Sequence, residues 1–297
     1  MNNTKNALCV ALGDFDGVHL GHLKVLCAAV DNKMNLTPAV YTFKNNCKGA
    51  QAITDNETKS KIFQSVGIKH IIFDDFEKIK HLSPALFVQN ILNDRLHAKV
   101  VVCGVDFKFG KNAIGDAELL KQLCLQYDIK VEIINHFLNG NKKLSSTDIR
   151  KLIKNGDMRA VTKMLGRYFS ISGTVEHGKK LGSKNCAPTI NIPLHDNLVI
   201  PAFGVYISKI NINGKSYNGI ANIGTRPSVE QNGAPNIEAN IFDFNGDLYG
   251  AKVTVEFIEM IRPEIKFDSK NALFEQIQYD IKAAKAYFNG EANEDTH

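Results

Sequence analysis

The sequence contains no tryptophan and only 8 prolines, and none of its apolar runs approaches the length of a membrane-crossing helix. Such a helix takes roughly 18 to 20 apolar residues, so no membrane partner is expected. The apolar run Ala7–Leu12 is short and ends at Gly13-Asp14 without a small-residue cleavage pattern. It reads as a first strand, not as a secretory signal. Six cysteines (Cys9, Cys27, Cys47, Cys103, Cys124, Cys186) are scattered with no C-x-x-C pair. That spacing speaks against a structural zinc site or a disulfide framework and for buried, reduced thiols in a cytoplasmic protein. No internal repeat and no long basic run is present. A net charge of +5 without such a run gives little support to a nucleic-acid partner and is equally compatible with small anionic ligands.

What is present is length and a change of pattern. The 297 residues are about twice one ordinary domain, and 44% of them are hydrophobic, enough for two cores. In the first half, strand-like runs (Ala7–Leu12, Ala39–Phe43, His70–Phe73, Lys99–Cys103, Val131–Ile134) alternate with helical segments (Leu20–Asn32, Glu57–Val66, Pro84–Leu96, Ala117–Tyr127). That alternation predicts an α/β unit with a parallel sheet, whose ligands bind beyond the carboxyl ends of the strands. Helical segments at Thr147–Asn155 and Met158–Met164 close it, and the boundary is expected near Leu165–Tyr168. Beyond lie the runs Phe169–Val175, Gly204–Ile212, Lys215–Ile223, Ile237–Asp243 and Lys252–Ile261. With the turn dipeptides Asn213-Gly214 and Asn245-Gly246, these runs predict an antiparallel barrel or sandwich. One amphipathic helix, Lys270–Phe288, closes the chain. The polar, acidic end Gly290–His297 is expected to lack fixed structure. The expected domains are residues 1–165 and 166–290, with a tail at 291–297.

The segment Gly13-Asp14-Phe15-Asp16-Gly17-Val18-His19-Leu20-Gly21-His22 follows the first strand and opens the first helix. Glycines permit close backbone approach to a phosphate, and a helix start offers N–H donors at the positive end of its dipole. His19 and His22, three apart, fall on one side of that helix start. There they can donate to a triphosphate and stabilise charge developing at phosphorus. Two surface histidines on a turn are the bland alternative. A second segment, Leu144-Ser145-Ser146-Thr147-Asp148-Ile149-Arg150, reads by itself as an ordinary helix cap. Paired with the histidines, it can supply further donors to a departing pyrophosphate.

In the second half, Gly178-Lys179-Lys180-Leu181-Gly182 is a basic glycine loop, either a phosphate cover or a solvated turn. In Pro188-Thr189-Ile190-Asn191 a hydroxyl and an amide oxygen share one strand face, and both are hard oxygen donors of the kind that Mg²⁺ accepts. Taken alone, Glu238 reads as a solvent-facing strand residue.

These residues carry a resemblance. G-D-F-D-G-V-H-L-G-H with S-S-T-D-I-R resembles the nucleotidylyltransferase superfamily, most closely the adenylyltransferase module of the bacterial bifunctional riboflavin kinase/FAD synthetase family. Gly104-Val105-Asp106-Phe107-Lys108-Phe109-Gly110 is similar to that family's G-x-D-F-x-F-G element. The second half resembles its riboflavin kinase domain through Pro188-Thr189-Ile190-Asn191, Asn222-Ile223-Gly224-Thr225-Arg226-Pro227, Glu238–Phe244 with Leu248-Tyr249-Gly250, and Ile261–Phe267. The resemblance runs from about Val10 to Phe288. It implies a Rossmann-like nucleotidylyltransferase domain with a parallel sheet, then an antiparallel β-barrel riboflavin kinase domain with a closing helix. ATP is implied as co-substrate, Mg²⁺ as cofactor, and riboflavin, FMN and FAD as substrate and products.

As implied roles, Glu238 is the kinase base, Thr189 and Asn191 hold the metal, and His19 and His22 serve adenylylation. Gly13, Phe15, Asp16, Gly17, Gly21, Asp106, Phe107, Ser146, Thr147 and Arg150 surround the first nucleotide; Gly178, Lys180, Gly182, Asn222 and Arg262 surround the second site. A cytoplasmic monomer acting on small molecules is expected. The chain departs from the family's T-F-x-P-H-P at Thr42-Phe43-Lys44-Asn45-Asn46-Cys47, and Lys111-Asn112-Ala113 stands where an arginine is usual. Two alternatives therefore stay open: a monofunctional riboflavin kinase with a degenerate first domain, and a flavin-responsive regulator without turnover.

Overall fold

Strands buried on both faces need helices on both sides, and right-handed crossovers supply them. The computed structural model describes residues 7–32, 34–44, 49–139, 142–176, 189–195, 197–225 and 235–294. The chain divides into two units, Met1–Ser146 and Thr147–His297.

In the first unit, strands β1 (Leu8–Leu12), β2 (Thr37–Phe43), β3 (His70–Asp74), β4 (Ala98–Gly104) and β5 (Lys130–Ile134) pair in parallel in the order β3-β2-β1-β4-β5. Alternation along β1 divides the core. Val10 and Leu12 pack with Tyr41, Val101, Leu92 and Leu120 on one face; Cys9 and Ala11 pack with Val40, Val102, Leu26 and Phe63 on the other. The crossovers carry α1 (Leu20–Val30), α2 (Asn56–Ser65), α3 (Phe76–Ile79), α4 (Pro84–Leu86) and α5 (Ala117–Cys124). Chain order reverses between β1 and β4, so the crevice at their carboxyl ends is the switch point where such sheets bind ligands. The expected helix Pro84–Leu96 begins as α4 and continues over Phe87–Arg95 with the wider π winding. A two-stranded hairpin, β6 (Leu138–Asn139) with β7 (Lys142–Lys143), was not legible in the pattern.

The second unit holds α6 (Ser146–Lys154, begun by the last residue of the first unit) and α7 (Met158–Leu165). Six strands follow: β8 (Phe169–Thr174), β9 (Thr189–Pro193), β10 (Gly204–Ile212), β11 (Lys215–Thr225), β12 (Pro235–Ile241) and β13 (Lys252–Pro263). They form one antiparallel sheet in the order β8-β13-β10-β11-β12-β9. The sheet curls until its edges meet: Glu176 N donates to Asn191 O at 2.8 Å, and a β-carbon on Gly173 would stand 2.3 Å from Ile192 Cγ2. Phe169, Tyr206 and Phe257 pack inside. Helix α8 (Lys270–Glu294) covers the opposite face through Ala284 and Phe288 against Val205, Ile207, Ile220 and Ile258. This is the α/β plus β-barrel architecture expected from the sequence.

Three expectations change. Asn213-Gly214 makes the tight β10–β11 turn, with φ of 49° and 81°, but Asn245-Gly246 joins no hairpin, because β13 pairs with β10 and β8 and not with β12. Helix α8 runs to Glu294, four residues into the stretch 291–297 expected to be structureless; alanine and glutamate there are strong helix formers. Cys27 is exposed on α1, whereas Cys9, Cys103 and Cys124 are buried as expected and all four are free thiols. Cys47 and Cys186 lie outside the described residues.

Candidate active sites

The first site forms where β1 ends. Phe15, Gly17 and Val18 take positive φ (51°, 78° and 40°), which folds the segment into a tight loop. Asp16 is buried, and its Oδ1 accepts from Ile53 N at 2.8 Å. Gly17 N donates to Thr54 Oγ1 at 2.9 Å, and Gly13 N to Tyr41 O at 3.3 Å. The amides of Gly13 and Gly17 thus help to build the loop.

His19 is the N-cap of α1, its Nδ1 accepting from His22 N at 3.2 Å. An accepting Nδ1 places the ring proton on Nε2, which becomes a donor. The two imidazoles stack at 3.6 Å and 17°, and Phe15, buried at the loop's centre, presses its edge on His22 at 5.4 Å. Gly21 permits this, since a β-carbon there would lie 3.1 Å from His19 Cε1. No acidic side chain occupies the first turn of α1, so its dipole is left to attract an anion.

Ser146 joins the same site by donating its Oγ to Asp16 O at 3.0 Å. Thr147 is exposed and Arg150 half-buried, both on the α6 helix that Ser146 begins. At the end of β4, Asp106 pairs with Lys143. Burial works to raise its pKa, but the Lys143 hydrogen bond and charge outweigh it and hold the carboxyl below the ordinary range. Gly104 permits the turn, as a β-carbon there would lie 3.1 Å from Asp106 Oδ1. Phe107 stacks on Phe109 at 5.7 Å and 12°, which extends an aromatic wall through Phe87 to Tyr41 and Phe43. Burial pushes the thiols of Cys9, Cys103 and Cys124 up to about 12, so none of these three is a thiolate nucleophile at neutral pH.

The second site lies on the polar face of β9, β11 and β12. Alternation buries Ile237, Ala239 and Ile241 in the barrel and puts Asn236, Glu238 and Asn240 on the other face. In register, Glu238 stands between Asn191 of β9 and Asn222 of β11, and Asn240 stands opposite Thr189. The exposed Glu238 carboxylate therefore sits beside a hydroxyl and amide oxygens. Asn236 was not legible in the sequence. It is 3% exposed, and its Nδ2 donates to Asn191 Oδ1 at 3.2 Å and Glu238 Oε1 at 3.5 Å. Among the described residues no cluster of three His, Cys, Asp or Glu side chains could hold a metal by itself. The hydroxyl–amide–carboxylate set suits a hard cation shared with phosphate oxygens.

Arg262 is committed to the core of its unit. Its Nη2 donates to Asp280 Oδ2 at 2.8 Å and its Nε to both carboxylate oxygens at 3.1 and 3.0 Å. Gln276 also donates to Asp280, at 2.9 Å. Gly178, Lys180 and Gly182, Arg226-Pro227 and the altered Asn45–Cys47 lie outside the described residues. Asn112 and Ala113, the other departure, take left-handed φ of 58° and 55°.

A parallel sheet with a histidine-capped helix at its switch point, and a barrel displaying a carboxylate among oxygen donors, define an enzyme that moves phosphoryl or nucleotidyl groups. Comparison with known proteins narrows the class. The FAD synthetase family model matches residues 1–148 and the riboflavin kinase family model residues 165–288. A bifunctional riboflavin kinase/FMN adenylyltransferase of Buchnera aphidicola subsp. Schizaphis graminum is 40% identical, over 94% of this chain and 94% of its own. Its counterpart in Bacillus subtilis is 34% identical, over 94% and 92%. A solved structure described as a macrolide-efflux protein from Streptococcus pneumoniae has a TM-score of 0.79 at 30% identity, covering 94% of this chain and 93% of that one. The efflux description belongs to that protein; no described helix of this chain is long and apolar enough to cross a membrane. The chain belongs to the bifunctional riboflavin kinase/FMN adenylyltransferase family.

Proposed function

We propose that this protein converts riboflavin to FMN and FMN to FAD, consuming ATP in each step. We assign adenylylation to residues 1–165 and phosphorylation to residues 166–290; α6 and α7 fill the interval between the two matched families. What supports the reading is that His19 and His22 stack at one helix start in the first half, and that Glu238 lies in register with Asn191 and Asn222, with Thr189 one pair further on, in the second.

In the kinase step, the riboflavin 5′-hydroxyl oxygen bonds to the γ-phosphorus of ATP as the bond to the ADP oxygen breaks. Glu238 accepts the hydroxyl proton. Thr189 and Asn191 would hold Mg²⁺, which when bound offsets negative charge on the phosphates. Asn222 and the segment shaped by Arg262 line this site, and Gly178, Lys180 and Gly182 cover the phosphates. In the adenylylation step, an FMN phosphate oxygen bonds to the α-phosphorus of a second ATP and pyrophosphate leaves. His19 donates from Nε2, and His22 and the start of α1 stabilise charge on the phosphoryl oxygens. Ser146, Thr147 and Arg150 receive the pyrophosphate, while Gly13, Phe15, Asp16, Gly17 and Gly21 shape the cradle. Asp106 and Phe107 border the nucleotide and flavin. We also assign the protein to the cytoplasm, as a monomer; the free thiols of Cys9, Cys27, Cys103 and Cys124 suit that reducing compartment.

The test is the flavin balance of pure protein given riboflavin, ATP and Mg²⁺. FMN followed by FAD, with ADP and pyrophosphate released, is expected. FMN alone would leave a monofunctional kinase. In Glu238→Gln, phosphorylation should slow by about 10²-fold, the scale of a lost general base, while adenylylation of supplied FMN persists.

A further inference from the structure

An asparagine buried inside a strand is locally unfavourable, since asparagine is depleted from sheets and its amide must find partners once out of water. Asn236 occupies such a place on β12. Its cross-strand neighbours are Pro193 on β9 and Gly224 on β11. One has no backbone N–H and the other no side chain, so neither flank accounts for an amide there. The amide points along its own face, and its Nδ2 donates to Asn191 Oδ1 at 3.2 Å and to Glu238 Oε1 at 3.5 Å.

The two acceptors are the groups on which the kinase reading depends. An Asn191 amide oxygen that receives one N–H keeps a second lone pair in a fixed direction for a cation. A Glu238 carboxylate tied at Oε1 presents Oε2 outward to the substrate hydroxyl. Partners that orient a ligand from behind matter to metal affinity nearly as much as the ligand itself.

We propose that Asn236 is a positioning residue of the kinase site, a forked donor that fixes the amide of Asn191 toward the metal and the carboxylate of Glu238 toward the riboflavin hydroxyl. This rests on the kinase reading given above. Asn236→Leu isolates the role, because it keeps the volume and removes both donors without adding charge. Three readouts follow: the Mg²⁺ concentration for half-maximal riboflavin phosphorylation, the KM for riboflavin, and Mn²⁺ binding in the presence of ADP, followed by the loss of free Mn²⁺ paramagnetic resonance signal.

Both metal readouts should weaken by about tenfold or more while the riboflavin KM changes little and the thermal melt still shows a folded second unit. Asn236→Ala, which also adds no charge, should shift the metal readouts the same way. Unchanged metal readouts in both variants would overturn the proposal, as would loss of folding in both, which would make Asn236 a structural residue only. Wild-type protein that phosphorylates no riboflavin would instead sink the kinase reading, so the two failures are distinguishable.

Discussion

Lys59 occupies a position that a pattern of charges places on a helix surface, yet it is 4% exposed. A buried ammonium survives only when oxygens replace its water. Its Nζ finds Asp14 O at 2.9 Å, Thr42 Oγ1 at 3.4 Å and Phe43 O at 3.5 Å, with the Phe73 ring 5.7 Å away. It ties the histidine-bearing loop to the carboxyl end of β2. Lys59→Met keeps the stem and removes the donors. It should destabilise the first unit by about 1–3 kcal/mol, the scale for acceptors left without their partner. It should also slow FAD formation while riboflavin phosphorylation stays unchanged, which thermal melting and separate assays of the two steps would establish. Asp74 makes a second residue-scale case. Burial of its carboxyl works to raise the pKa, but hydrogen bonds from Tyr41 and the Asp75 amide and the Arg95 guanidinium outweigh it, so the folded value lies below the ordinary 3.8. The unfolded chain then holds that proton more tightly. The stability Asp74 contributes is complete above its ordinary value and drains away as pH falls through the folded one. Urea midpoints of Asp74→Asn should accordingly fall less steeply below about pH 4 than those of the wild type.

Element by element, legibility followed the reach of the signal. Strand β10 was expected over Gly204–Ile212 and lies there, because its apolar alternation and the Asn213-Gly214 turn are local. Asn245-Gly246 failed as a hairpin signal because β13 finds its partners across the barrel, where no dipeptide reports them. In the sites, His19 and His22 stand in a dense motif, whereas Glu238 by itself read as a solvent-facing strand residue and drew a role only from the resemblance. Lys59, Asn236 and Asp280 escaped because each acts on residues near it only after folding; Lys59 and Asp14 are 45 positions apart. Arg262 shows the same limit. Its motif left a ligand contact and an ion pair equally open, and the folded chain shows the guanidinium latching β13 to Asp280 of α8. Asp280 is 1% exposed, so Asp280→Ala strands a largely buried arginine. A loss of about 3–5 kcal/mol is expected, read as a lower denaturation midpoint of the second unit, with FMN adenylylation retained.

At the scale of the whole molecule, a chain with two sites and one shared intermediate either passes FMN directly or releases it. Each unit carries its own core, and the two proposed reactions share none of the residues assigned to them. His22→Ala should therefore abolish FAD formation and leave FMN formation intact, while Glu238→Gln should slow FMN formation by about 10²-fold and leave adenylylation of supplied FMN intact. Mixing the two variants in equal amounts with riboflavin, ATP and Mg²⁺ then sets the decisive condition, since FMN made by one chain must leave it to be adenylylated by another. FAD should accumulate after a lag set by free FMN rising toward the KM of the second step, and added FMN should remove that lag. Flavins separated over time would show it. A mixture that forms FMN but never FAD, although His22→Ala phosphorylates and Glu238→Gln adenylylates supplied FMN, would mean that the intermediate does not exchange between chains and that the two units work as a coupled pair.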